Sequence, residues 1–69
     1  MPFNYNKLRG RIIEKFGTIE KFSVSLGVTF ETVSKKLNNK VSFSQKDIIS
    51  WSDKLDIISD DIGSYFFAL

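Results

Sequence analysis

The sequence predicts an all-α fold: one compact domain of residues 1–69 built from about five short helices. Apolar residues recur at the i, i+3 and i+7 spacing of one helix face in several stretches, and residues that cap or stop helices stand between those stretches. A chain of this length buries only about 60% of the surface that its unfolded form exposes. We therefore expect a single small core of modest stability.

The first predicted helix covers residues 6–16, and its apolar stripe consists of Tyr5, Leu8, Ile12 and Phe16. Either Asn4 or Asn6 can cap its start, and Gly17 can stop it. Because Arg9 and Arg11 lie off the apolar stripe, we expect both to point outward.

The second and third predicted helices are joined by a tight turn at Gly27, a residue that adopts positive φ without a steric penalty. Thr18 is suited to cap the second helix and Thr29 the third. The inward-facing residues of the two helices are Ile19, Phe22, Leu26, Val28, Val33 and Leu37. Two short helices across a glycine turn indicate a helix-turn-helix, whose second helix can enter the major groove of DNA.

The third helix is expected to end at Asn39, because Asn tolerates the left-handed conformation. Ser44 and Asp47 resemble a capping box that opens a fourth helix. Its inner stripe is expected to include Ile48, Trp51 and Leu55, broadened by Ile49. A short fifth helix is expected to begin near residues 58–60.

Charge is distributed unevenly along the chain, although the formal net charge is only +2. Nine basic and three acidic residues precede Asp47, whereas one basic and five acidic residues follow from there to the end. A domain polarised in this way can present its basic part to a polyanion. The alternative is that these charges only solvate the surface.

The composition argues against several classes of function. With no Cys and no His, the chain lacks the commonest general base, the thiol nucleophile and the usual ligands of transition metals. We therefore expect neither an enzyme nor a metal or other cofactor. No apolar run approaches the ~20 residues of a membrane helix. We expect a location in the cytoplasm of a bacterial host cell.

Three segments of the second and third predicted helices, TIEKFS at residues 18–23, LGVT at 26–29 and TVS at 32–34, resemble the lambda-repressor-like, or Cro/C1-type, helix-turn-helix family. More narrowly, YNKLRGRIIEKFGT at residues 5–18, KLNNKVSF at 36–43 and YFF at 65–67 are similar to short phage proteins that are regarded as Cro-like regulators. This resemblance covers nearly the whole chain, and its motifs are more specific to the fold than to the target.

The resemblance implies that the third helix, about residues 29–37, reads operator DNA. The base-reading positions would be Thr29, Phe30, Glu31, Thr32, Ser34 and Lys35. In such a complex a lysine donates to guanine, a glutamate accepts from cytosine and an apolar side chain touches a thymine methyl. Family phosphate contacts correspond to the backbone of Ile19 and to Asn38 and Lys40, and the loop adds donors at Ser42 and Ser44.

Two functions remain open at this point. The first is a phage transcription regulator that binds double-stranded operator DNA as a homodimer. Phe67 and Leu69 either form part of the dimer contact or fray at the terminus. The second is an anti-repressor that engages a partner phage repressor through the same helix. Phe30 next to Glu31 motivates the second hypothesis, because an apolar anchor beside an acid suits a basic protein surface better than DNA. Phe30 could also fold back onto Val33 and the turn.

Overall fold

The computed structural model describes residues 2–69, which form five α-helices and one 3₁₀ turn and contain no β-strand. Met1, which belongs to the predicted domain, lies outside the described residues. The all-α prediction is confirmed. The elements are α1 (Asn6–Phe16), α2 (Ile19–Leu26), α3 (Phe30–Leu37), α4 (Gln45–Lys54), the 3₁₀ turn (Ser59–Asp61) and α5 (Ile62–Phe66). None of the helices within residues 2–69 has the length and apolar character needed to cross a membrane.

One hydrophobic core joins all five helices. Trp51 of α4 is 3% exposed, as the prediction of a core role requires. Its ring packs edge-on against Phe22, with centroids 4.9 Å apart, and against Phe43, with centroids 4.7 Å apart. Such edge-to-face pairs add to the stabilisation that comes from burying their area. The buried apolar residues are Tyr5, Leu8, Ile12, Phe22, Val33, Leu37, Trp51, Leu55, Ile57 and Phe66.

Three helix starts have the predicted caps. The hydroxyl of Thr18 accepts from the Lys21 amide, and the Thr29 hydroxyl accepts from the amide three residues later. Ser44 completes a capping box with Asp47, each side chain accepting from the other's backbone N–H. At the start of α1, neither Asn4 nor Asn6 caps the helix through its side chain. The Asn4 side chain instead accepts a hydrogen bond of 2.9 Å from the Asn6 amide.

The α2–α3 turn is a Schellman motif built on Gly27. This glycine has φ 74° and ψ 27°, its amide donates to Val24 O, and the Val28 amide donates to Ser23 O. Ser23 is buried, and its hydroxyl donates to Ile19 O at 2.9 Å, so a polar side chain is tolerated between α2 and α3. The same motif recurs after α3, where Asn39 occupies the left-handed position with φ 60°.

The prediction that Arg9 and Arg11 point outward is wrong. Arg9 donates to Leu37 O at 3.0 Å, and Arg11 donates through Nε to Leu55 O at 2.8 Å. Both guanidinium groups meet carbonyl oxygens at the C-terminal ends of helices, where a positive charge is favourable. The two arginines therefore tie α1 to the ends of α3 and α4.

Two apolar positions are more exposed than predicted. Ile49 is 69% exposed and does not broaden the inner stripe of α4, because the residue after Ile48 is turned about 100° around the helix axis. Val28, expected on the inner side, is 40% exposed because it lies in the turn before α3 rather than in a helix.

The two ends of the described chain meet beside the end of α3. Asn39 accepts from the Phe3 amide through Oδ1 at 3.0 Å and donates through Nδ2 to Phe3 O at 2.9 Å. The Asn4 amide donates to Ala68 O at 2.7 Å, and the rings of Phe3 and Phe67 pack edge-on. The N-terminal arm is thus held by both the α3–α4 loop and the C-terminal segment.

Candidate binding surface on the third helix

The first turn of α3 presents an aromatic side chain and a carboxylate to solvent. Phe30 is the first residue of α3 and is 47% exposed, so its ring is not folded into the core. Glu31 follows it and is also exposed. The Thr29 cap sets the direction in which both residues leave the turn. Of the two alternatives for Phe30, the structure has the exposed one, and Glu31 is exposed beside it.

The two charges on this face, Glu31 and Lys35, form no ion pair within the described part of the chain. Glu31 and Lys35 lie four residues apart on α3, and both are exposed. Neither forms an ion pair with any other residue from 2 to 69. An incoming molecule can therefore pair with either charge without first breaking an internal salt bridge.

A hydrogen-bonded network fixes the polar flank of α3. Arg9 donates to Asn38 Oδ1 at 2.7 Å, and Asn38 Nδ2 donates to Ser34 Oγ at 3.2 Å. This leaves the Ser34 hydroxyl free to donate outward. At the other end of the helix the hydroxyls of Thr29 and Thr32 are 3.0 Å apart. The six predicted base-reading positions are therefore brought together on α3 and at its cap, where Thr32 and Ser34 are half-buried.

The predicted phosphate contacts are more dispersed. Ile19 begins α2 and is half-buried, whereas Lys40 and Ser42 are exposed in the α3–α4 loop. Asn38 already bonds to Arg9 and Ser34, and the Ser44 hydroxyl caps α4. A role for Arg9 was missed because it depends on how α1 packs against α3, and spacing within α1 carries no signal of it.

Beside α3, an ion pair joins the third helix to the fourth. Lys36 Nζ lies 2.8 Å from Asp47 Oδ2, and the two side chains are 14% and 25% exposed. Burial acts to raise the pKa of Asp47, but the hydrogen bonds from Lys36 and Ser44 outweigh it and lower the pKa. Asp47 therefore stays ionised at neutral pH, and its charge neutralises that of Lys36.

A cleft of about 300 Å³ opens between the α2–α3 turn, α3 and α4. Leu26 and Val28 form one wall, and Trp51 and Val33 form the floor. The polar part of its lining comes from Thr32, Lys36, Lys46, Asp47 and Ser50. The cleft therefore combines an apolar interior with a charged rim, directly beside the exposed face of α3.

The aromatic C-terminal segment is also exposed. Phe67 is 51% exposed and Leu69 is 79% exposed, and Phe67 lies at a second cleft of about 450 Å³. Both residues of the predicted dimer contact are thus accessible. Their role in a homodimer stays a prediction.

These observations define a small all-helical protein that presents an exposed aromatic side chain and two exposed charges on one helix, with a cleft beside it. The chain belongs to the family described as "Protein of unknown function (DUF739)", whose model matches residues 1–68. Its resemblance to the lambda-repressor-like family stays a prediction.

Among solved structures, the chain is similar to the solution structure of the modulator of repression (MOR) of the temperate bacteriophage TP901-1 from Lactococcus lactis. The two share 39% sequence identity with a TM-score of 0.85, and the match covers 97% of this chain and 90% of the other. No curated protein sequence matches the chain.

Proposed function

We propose that this protein is a modulator of phage repression that binds a phage repressor through the exposed face of α3. The similarity to the phage modulator of repression supports this, because it extends over 97% of this chain at 39% identity. The sequence alone ranked operator binding first and repressor binding second. The similarity reverses that order, and the exposed chemistry of α3 agrees with the reversal.

The observation that carries the proposal is the exposure of Phe30 beside Glu31, which forms no ion pair within residues 2–69. Aromatic anchors at the centre of a protein interface often contribute most of the binding free energy. A carboxylate on the same face repels DNA phosphates but attracts the basic surface with which a repressor reads DNA. One face of α3 thus suits a DNA-binding protein better than DNA itself.

Operator DNA is the second candidate. Before Asp47 the chain has nine basic and three acidic residues, and Lys35 stands unpaired on α3 among hydroxyl groups that can hydrogen-bond to base edges. In this alternative a homodimer formed through Phe67 and Leu69 would place two α3 helices on successive half-sites.

Titration calorimetry of this chain with the repressor encoded beside its gene tests the first candidate. We expect a one-to-one complex whose Kd rises about tenfold or more in Phe30→Ala, because truncation of an aromatic anchor typically costs over 1 kcal/mol. Ile58→Ala is the matched control, since Ile58 is 62% exposed in the segment after α4. No complex at micromolar concentrations, or equal weakening by both variants, would refute the proposal.

Fluorescence anisotropy with DNA from the region upstream of the gene tests the second candidate. If the protein binds a repressor rather than an operator, we expect it to bind DNA only weakly. That DNA binding should not depend on the sequence and should fall as salt rises. Nanomolar, sequence-dependent binding that Lys35→Ala relaxes would instead support the operator reader. Sedimentation of the free protein then reports whether a dimer forms.

A further inference from the structure

We infer that the cleft between the α2–α3 turn, α3 and α4 is the second half of the binding surface, and that it receives an apolar side chain of the partner followed by an acidic residue. This inference rests on the proposed function, since its occupant belongs to the repressor. It extends the contact from Phe30 to the α4 side of α3.

The cleft is large enough to admit an apolar side chain, and part of its lining is apolar. Its volume of about 300 Å³ lies at the lower end of the ~300–1,000 Å³ that is usual for small-molecule pockets. Trp51 closes the floor at 3% exposure, and Val28 keeps 40% of its surface open at the wall. An apolar side chain in the cleft removes the exposed surface of Val28 from water.

The charges of the cleft select the chemistry of the partner. The ion pair of Lys36 with Asp47 leaves Lys46 as a lining cation without an ion partner among residues 2–69. A carboxylate that follows the inserted side chain can pair with Lys46 at the rim. Such rim pairs contribute more to orientation and association rate than to affinity.

The apolar part of the lining disfavours nucleic acid at this place. A DNA phosphate can pair with Lys46 at the rim, but it has no apolar group to pack against Leu26 and Val28. An apolar side chain of a protein can fill that part of the cleft. The cleft therefore favours a protein partner over a DNA backbone.

The surface is continuous with the exposed face of α3. Val28 stands two residues before Phe30, and Thr32 both lines the cleft and follows Glu31 on α3. A partner that covers Phe30 therefore passes the mouth of the cleft. This continuity ties the inferred occupant to the same repressor rather than to an independent ligand.

Filling the cleft from within tests the inference. Ser50 is exposed and lines the cleft, whereas its neighbour Ile49 is exposed outside it. We expect Ser50→Phe to raise the Kd for the repressor about tenfold. Ile49→Phe, which adds the same ring to the same helix, should change the Kd by no more than about twofold.

Two further measurements guard against a folding artefact. Lys46→Gln should raise the Kd about threefold and reduce its salt dependence, whereas Lys54→Gln, outside the cleft on α4, should not. Trp51 is the one tryptophan of the chain, so ¹⁵N-labelled protein gives one indole signal from the floor of the cleft. That signal should shift when unlabelled repressor is added and stay unchanged over a dilution series of the free protein.

The outcomes separate the two proposals. If Phe30→Ala weakens the complex while Ser50→Phe matches Ile49→Phe and the Trp51 signal stays still, the proposed function stands and the cleft inference fails. If the wild-type chain binds no repressor, both fail. A Trp51 signal that moves with concentration in the free protein assigns the cleft to a second copy of this chain and also overturns the inference.

Discussion

The guanidinium of Arg9 donates a hydrogen bond of 3.0 Å to the carbonyl oxygen of Leu37, the last residue of α3. The same nitrogen donates to Asn38 Oδ1 at 2.7 Å. One side chain of α1 thus satisfies a backbone carbonyl group that α3 leaves open and places its positive charge at the negative end of the helix dipole. The contact joins α1 to the C-terminal end of α3, the helix that carries the exposed surface.

Arg9→Met is therefore expected to destabilise the fold. Hydrogen bonds from charged donors contribute about 1.5–3 kcal/mol when protected from water. Arg9 is half-buried, so screening reduces the expected loss to about 1–2 kcal/mol. Urea unfolding followed by circular dichroism measures the loss.

The matched control for this change is Lys21→Met, because Lys21 is exposed and its side chain forms no hydrogen bond or ion pair with residues 2–69. We expect this control to lie within about 0.5 kcal/mol of wild type. Equal unfolding midpoints for the two variants would mean that Arg9 does not support α3.

These contacts mark the limit of what the sequence predicts. The bounds of α1, the caps at Thr18 and Thr29 and the left-handed Asn39 follow from local spacing and local backbone preferences, and the structure confirms them. The hydrogen bonds of Arg9 to Leu37 O and of Arg11 to Leu55 O join residues at least 28 positions apart, so no window of the sequence contains them.

The candidate site shows the same division. The exposure of Glu31 and Lys35 follows from helix periodicity. The sequence does not determine the exposure of Phe30, because an apolar residue at a helix start can point to solvent or fold back onto the core. The cleft beside α3 needs the relative placement of three elements, and the ion pair of Lys36 with Asp47 joins two of them. A periodic pattern does not encode such a placement.

Stability should fall at acid pH partly through Asp47. Its folded-state pKa is lowered because hydrogen bonds from Lys36 and Ser44 overcome the effect of burial. A lowered pKa stabilises the fold above the unfolded-state value of about 3.9 and loses that contribution as pH falls through the folded value. Protonation of Asp47 then breaks the ion pair between α3 and α4.

Asp47→Asn tests this linkage. The unfolding free energy of this variant should be lower than that of wild type by about 1–2 kcal/mol at neutral pH, because a charge-assisted hydrogen bond is lost. The difference should hold down to about pH 4 and then shrink as pH falls further. Asp53→Asn on the exposed side of α4 is the control, and a pH-independent difference for Asp47→Asn would contradict the assignment.

Replacing Gly10 and Gly27 by alanine should change the stability of the fold in opposite directions. A Cβ at Gly10 or at Gly27 meets no heavy atom within 4 Å. The effect of either substitution therefore comes from backbone conformation rather than from steric clashes. Gly10 lies inside α1, where alanine reduces the entropy of the unfolded chain and favours the helix. Gly27 has φ 74°, where alanine is strained by about 1–2 kcal/mol.

Thermal and urea unfolding should thus show Gly10→Ala more stable than wild type by about 0.5–1 kcal/mol and Gly27→Ala less stable by about 1–2 kcal/mol. The Gly27 variant also bears on function, because Gly27 forms the turn that leads into α3. A destabilised Gly10→Ala would indicate close packing at Gly10 that the structure does not contain.

Asn39 has two roles: its backbone adopts the left-handed conformation after α3, and its side chain holds Phe3 by two hydrogen bonds. Two substitutions separate these roles. Asn39→Gly keeps the left-handed conformation at φ 60° but removes both hydrogen bonds to Phe3. Asn39→Ala removes the same bonds and adds backbone strain. We expect Ala to be the less stable of the two by about 1 kcal/mol.

Loss of the tether itself has a local readout. In both variants the amide of Phe3 should exchange with solvent faster, because its acceptor, Asn39 Oδ1, is gone. The amide of Lys40, which donates to Lys35 O, should stay protected in the Gly variant because glycine preserves the Schellman motif. Fast exchange at Lys40 in Asn39→Gly would show that the arm, rather than the left-handed residue, holds the end of α3 in place.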